Sequence, residues 1–171
     1  MRSPAPALFA QAIALVFVAL QTGCGAKIGD PCDRPFDCST TQNRQCDLSN
    51  ESRDPQGKGE CTIENCTRDG CPKEAVCVKV YSTEFLSTLC DPELEDLGER
   101  DDCSSGQICL PEGLCADDLG ARSSCRLECT KNRDCRDGYE CRPLGQDGMY
   151  QAPSPDYPEL AGGASICVPI P

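Results

Sequence analysis

A small disulfide-rich fold is the class this sequence predicts: tandem cysteine-stapled modules with short β-hairpins and long loops, and little helix after a signal peptide. Three observations lead there. Cysteine supplies 17 of the 171 residues, a frequency that in a short exported chain marks a disulfide scaffold made in an oxidising compartment. Outside the leader only Phe36, Tyr81, Phe85, Tyr139, Tyr150 and Tyr157 are aromatic and tryptophan is absent, so cross-links must do what a conventional core does elsewhere. Glycine and proline, 15 and 14 residues, interrupt most of the chain and keep its elements short.

Residues 1–23 have the character of a signal peptide. Arg2 supplies the positive end, and Ala7 to Leu20 is an apolar run broken only by Gln11, the length of a signal core and too short for a comfortable membrane span. The stretch Leu20-Gln21-Thr22-Gly23-Cys24 resembles the lipobox of bacterial lipoproteins, in which small residues precede a cysteine that is lipidated and becomes residue one. Gln21 stands where that motif prefers an aliphatic residue. The resemblance implies palmitate-type acylation at Cys24, with residues 24–31 as the lipidated N-terminus and tether. A competing cut after Ala26, using Cys24 and Ala26 as the small residues, gives a freely secreted product.

Either cut leaves 16 cysteines, an even number that suits eight disulfides. Four times an acidic residue stands just before a cysteine pair: Asp37 before Cys38 and Cys46, Asp69 before Cys71 and Cys77, Asp102 before Cys103 and Cys109, Asp134 before Cys135 and Cys141. Adding flanking cysteines divides the body into module 1 over 32–61 (Cys32, Cys38, Cys46, Cys61), module 2 over 66–90 (Cys66, Cys71, Cys77, Cys90), module 3 over 103–125 (Cys103, Cys109, Cys115, Cys125) and module 4 over 129–167 (Cys129, Cys135, Cys141, Cys167). The third pair lacks a near upstream cysteine, and Cys90 serves it equally well, which leaves the boundary between modules 2 and 3 open. Spacing does not select connectivity, since four cysteines allow three pairings.

Few regular elements are expected between the cysteines. Ala75 to Tyr81 alternates Val76, Val78 and Val80 against Cys77, Lys79 and Tyr81, the period of a strand. Ser165 to Val168 is a weaker strand, and Glu84 to Leu89 a single helical turn. The acidic loop 91–102 carries seven carboxylates against Arg100 but lacks the alternating spacing of a calcium loop, so a solvated loop is expected and no cofactor or metal. The Pro- and Gly-rich insertion 145–165 interleaves prolines with Met149, Tyr150, Tyr157 and Leu160; Tyr150 and Tyr157 are its candidate partner-binding rings, against the plainer reading that they cover the core.

Gly29-Asp30-Pro31-Cys32 running to Asp37-Cys38, and Cys129 to Cys141 with its Asp134-Cys135 and Asp137-Gly138, look like the modules of cysteine-rich bacterial surface lipoproteins of the myxobacterial type, and are loosely similar to Dickkopf and EGF-like modules. The resemblance rests on cysteine spacing over nearly the whole mature chain. It implies an extracytoplasmic binding or envelope-structural module and carries over no catalytic residue.

Charge and residue type narrow the function classes. Removing Arg2 with the leader leaves 15 basic against 28 acidic residues, a net charge of −13, which repels nucleic acid and anionic lipid head groups alike. Histidine is absent, so no Ser-His or Cys-His nucleophile pair exists, and disulfide-bonded cysteines are not nucleophiles. Structural zinc sites usually show Cys-x2-Cys pairs, and none occurs here. The sequons at Asn50 and Asn65 matter only on a eukaryotic secretory route. The reading is therefore a non-enzymatic exported lipoprotein, held on the membrane (outer membrane, since Gly25 is not the retaining Asp) through Cys24, with an unidentified protein partner. The alternative is a freely secreted inhibitor or toxin-like effector.

Overall fold

The computed structural model describes residues 25–41, 43–82, 86, 88–94, 102–154, 156, 160 and 162–171. The leader, Cys24 and Tyr157 lie outside these residues. So do most of the acidic loop and half of the helical turn expected over Glu84–Leu89.

The described chain is a small disulfide-rich β protein. Its strands are β1 (Pro31–Cys32), β2 (Gln45–Asp47), β3 (Gly59–Thr62), β4 (Ala75–Val80), β5 (Gln107–Cys109), β6 (Cys115–Asp117), β7 (Arg122–Leu127), β8 (Tyr139–Pro143), β9 (Met149–Gln151) and β10 (Ser165–Pro169), with one α-helical turn, α1 (Pro35–Cys38), and 3-10 turns at Glu51–Arg53 and Asn132–Asp134. They pair as four small antiparallel sheets in the orders β1-β3-β2, β7-β4-β9, β5-β6 and β10-β8.

One bonding rule repeats in every module: the first cysteine joins the third and the second joins the fourth. The bonds are Cys32–Cys46 and Cys38–Cys61, Cys66–Cys77 and Cys71–Cys125, Cys90–Cys109 and Cys103–Cys115, and Cys129–Cys141 and Cys135–Cys167. The strands obey the same rule. The third and fourth cysteines stand opposite each other in register: Cys46 with Cys61, Cys77 with Cys125, Cys109 with Cys115, and Cys141 with Cys167. Each module is thus a two-stranded ribbon whose facing cysteines are tied back to the segment that precedes it.

This register corrects the boundary between the second and third modules. Cys90 belongs to module three, and Cys125 closes module two through Cys71. The physical reason is the ladder between β4 and β7, which runs from Ala75↔Leu127 to Val80↔Arg122 and sets Cys77 against Cys125. Module three is nested within the hairpin connection of module two rather than following it.

The acidic residue before the second cysteine has a local task in modules one and four. Asp37 accepts the backbone N–H groups of Asp33 and Arg34, at 3.0 and 3.1 Å. Asp134 accepts those of Thr130 and Lys131, at 3.0 and 3.2 Å, and the Thr130 hydroxyl at 2.8 Å. Each carboxylate satisfies otherwise orphaned donors at the start of a short helical turn. Its pKa is lowered, first by the backbone donor of Asp33 or of Thr130 respectively.

Strand β4 is the middle of the molecule. Val76, Val78 and Val80 pack with Leu144, Met149 and Ile166 of module four. Beyond its end, Tyr81 joins Tyr150, Leu110 and Ala116, which binds modules two, three and four. Tyr81 and Tyr150 meet edge to face at 6.3 Å between ring centroids. The segment 145–165 is therefore no displayed loop over its first half: β9 adds to the β4 edge, and Tyr150 is 1% exposed. That corrects its expected role as a partner-binding ring, because burial of apolar area outweighs display where aromatics are this scarce.

Residues 28–31 of the chain expected to serve as a tether are also folded. Ile28 is 1% exposed, Gly29 N–H donates to Cys61 O at 2.9 Å and Cys61 N–H to Asp30 O at 2.9 Å. Gly29 has a positive φ of 87°, and a Cβ there would stand 2.9 Å from Leu127 Cβ, so only glycine fits this turn.

Candidate functional site

Three modules leave a cleft of about 600 Å³ between them. Its apolar wall is Val80 from β4, Met149 from β9, and Ile166 and Val168 from β10. Facing these are Ser49, Asn50 and Arg53 from the β2–β3 connection of module one, with Glu60, Arg126 and Arg142. A second hollow of about 410 Å³ shares Ser49, Val80 and Arg126 and adds Arg122, Glu64 and Asn65.

The guanidinium groups are fixed to different degrees. Arg126 on β7 is held between Asp47 of β2, at 2.8 Å, and Glu60 of β3, and its Nε donates to Ser124 Oγ at 3.1 Å. Burial would raise the Asp47 pKa, but the Ser49 backbone donor and Arg126 together outweigh it and leave the carboxyl below its ordinary value. Arg142 pairs with Glu140 on its own strand. Arg53 and Arg122 are exposed and make no ion pair among the described residues. The cleft therefore sets two guanidinium groups already paired within the protein, and one cation without an ion pair among the described residues, Arg53, beside an aliphatic floor, with Arg122 on the second hollow. Such a surface suits an extended partner segment carrying aliphatic side chains and a carboxylate.

The joins between modules keep this cleft in shape. Thr62 Oγ1 donates to Cys125 O at 2.7 Å, and Cys125 N–H to Ile63 O at 2.9 Å, extending β3 onto β7. Arg136 pairs at 3.1 Å with Asp54, whose side chain is almost fully buried, and stacks over Tyr139 at 4.2 Å. Lys79 and the Tyr81 hydroxyl both reach Asp118 of module three.

All sixteen body cysteines named from the sequence lie in disulfides. The first, second and fourth sulfurs of each module lie within 4.8 Å of one another. Those groups resemble thiolate ligand sets in position only, because every sulfur in them is bonded to another sulfur and none is a thiolate. Of the two ring candidates, Tyr150 is in the core and Tyr157 lies outside the described residues. The cleft residues were missed because Arg53, Arg126 and Arg142 come from three modules, and no local spacing links them. Comparison with protein-family models, with known proteins and with solved structures gives no match.

Proposed function

We propose that the protein is a non-enzymatic, lipid-anchored binding module of the cell envelope, attached through Cys24 and taking its partner in the cleft between modules one, two and four. The anchor rests on the lipobox resemblance at Leu20 to Cys24. The eight disulfides use every cysteine of the body, so Cys24 has no cysteine left within the chain to pair with, which is consistent with the anchor and equally with a cut after Ala26. Eight disulfides also place the folded chain in an oxidising, extracytoplasmic compartment. No described helix is long and apolar enough to cross a membrane, and acyl chains on Cys24 would hold the protein on one. Gly25 behind Cys24, in place of Asp, favours the outer membrane. The likeness to cysteine-rich bacterial surface lipoproteins supports the same class.

Cells grown with an alkyne fatty acid test the anchor. The protein should carry the label and sediment with outer membranes, and Cys24→Ser should abolish both. An unlabelled, freely soluble protein whose mass begins at Lys27 would refute the anchor and establish the secreted alternative. The cleft is tested by NMR of the arginine side-chain Nε–H groups. Short peptides combining leucine and glutamate should shift Arg53, Arg126 and Arg142 and leave Arg34 unmoved. Uniform or absent shifts would reject the site.

A further inference from the structure

We infer that module one seats directly on the bilayer, with Phe36 inserted at the boundary between head groups and acyl chains; this rests on the lipid anchor at Cys24. The argument begins with chain length. Had residues 24–31 been a flexible tether, the body would stand off the membrane. Residues 26–31 are folded: Lys27 N–H donates to Asp30 Oδ2 at 2.7 Å, Ile28 is buried, and Ala26 packs against the Cys32, Cys38 and Cys61 cluster. Gly25 is the residue after Cys24, and consecutive Cα atoms stand about 3.8 Å apart. An acylated Cys24 therefore leaves module one no slack.

The surface at that point is suited to contact. Gly25 and Ala26 line a hollow of about 550 Å³ together with Phe36, Ser39, Thr40 and Arg44. Phe36 is 64% exposed on α1, in a chain that buries Tyr81, Tyr139 and Tyr150 to 5% or less. The hydroxyls of Ser39 and Thr41 lie beside it and bond only to neighbours in the same turn. An aromatic ring rimmed by hydroxyl groups, the Asn43 amide, the Asp37 carboxylate and the Arg44 guanidinium, itself paired with Glu74 at 3.8 Å, fits the interfacial zone of a zwitterionic bilayer, where apolar side chains lie a few ångströms below the head groups and polar ones stay among them. The occupant of this face is the anchoring leaflet itself.

Absence of tryptophan makes the test direct. Phe36→Trp introduces a single reporter at an exposed position. The mature acylated protein, purified in detergent and reconstituted into phosphatidylcholine vesicles, should show tryptophan emission shifted to shorter wavelength. Most of it should be lost when the lipid is brominated near the top of its acyl chains. Leu119→Trp, on the exposed turn of module three, should emit as in water and escape quenching. Intact mass of the same sample separates the two readings. Acyl groups on Cys24 with the module-one reporter unquenched, or with both reporters quenched alike, would overturn the seating and leave the anchor standing. A protein without acyl groups would overturn both.

Discussion

Replacing Arg126 with alanine should destabilise the oxidised protein by about 3 kcal/mol. The side chains concerned are 15% (Arg126), 17% (Asp47) and 5% (Glu60) exposed, so the substitution leaves two carboxylates facing each other with little water. Removing one partner of a buried pair typically costs about 3 to 5 kcal/mol. The lower end applies because Asp47 keeps the Ser49 backbone donor at 2.9 Å. At about 2 to 4 °C per kcal/mol for a chain of this size, the midpoint of thermal unfolding should fall by roughly 10 °C at pH 7, read by near-UV circular dichroism without reductant. The pH dependence fixes the cause. The folded pKa of Asp47 is lowered, so its contribution is full above the unfolded value of about 3.9 and fades as pH falls through the folded one. Without Arg126 the carboxyl rises, and the gap between variant and parent should narrow as the pH drops toward 4. Neutralising the cluster together, as Asp47→Asn, Glu60→Gln and Arg126→Met, should recover most of the loss. A midpoint within 2 °C of the parent (roughly half a kcal/mol), or a gap indifferent to pH, would refute this account.

Cys71–Cys125 closes the longest loop, with a sequence separation of 54. Removing both its cysteines should cost about 4 kcal/mol against about 3 for Cys66–Cys77, measured by denaturant unfolding. Gly138→Ala should lower stability by about 2 kcal/mol or more, since φ is 82° there and a Cβ would meet the Pro55 ring at 2.3 Å; an unchanged midpoint would argue against the contact between modules one and four. Burial, and then Asp118, push the Tyr81 phenol well above its ordinary value. Ultraviolet titration should find it still protonated above the ordinary phenol value near pH 10, and Tyr81→Phe should reduce the absorbance step that accompanies alkaline unfolding. Asp37 and Asp134 should titrate below 3.8 by carbon NMR, so each loop closure persists above that value and opens as pH falls through the lowered one.

What was legible in the sequence was what short-range chemistry decides. The alternation of Val76, Val78 and Val80 fixed β4 to within a residue of its end at Val80, and Ser165–Val168 extends by only one residue to Pro169. Cysteine parity and abundance gave the fold class. The nesting of module three was not legible, because Cys90 and Cys125 are each plausible fourth members by distance along the chain. Only the register of β4 on β7 tells them apart. Tyr150 misled for a related reason. Its prolines and glycines read as an exposed segment, yet the edge of β4 was unfilled and took it. The cleft had no sequence signature, since it exists only where three separately stapled units meet.

The repeated register explains how one bonding rule accommodates such unequal modules. The third and fourth cysteines face each other across a ribbon, so the chain between them enters and leaves at adjacent points whatever its length. In module three that connection is the short turn from Leu110 to Leu114, closed by Gly113 N–H on Leu110 O at 2.8 Å. In module one it is the loop carrying Arg53, in module four the segment carrying β9, and in module two a whole further module. Loop-closure entropy grows only slowly with length, and a disulfide on each side fixes the stem. Variation is therefore tolerated at the one place where it does not disturb the staple. The cleft takes walls from two of these connections, Arg53 in module one and Met149 in module four. The same geometry that makes the scaffold permissive thus puts its variable segments around the candidate binding site, while the connectivity and register of the staple stay the same from module to module.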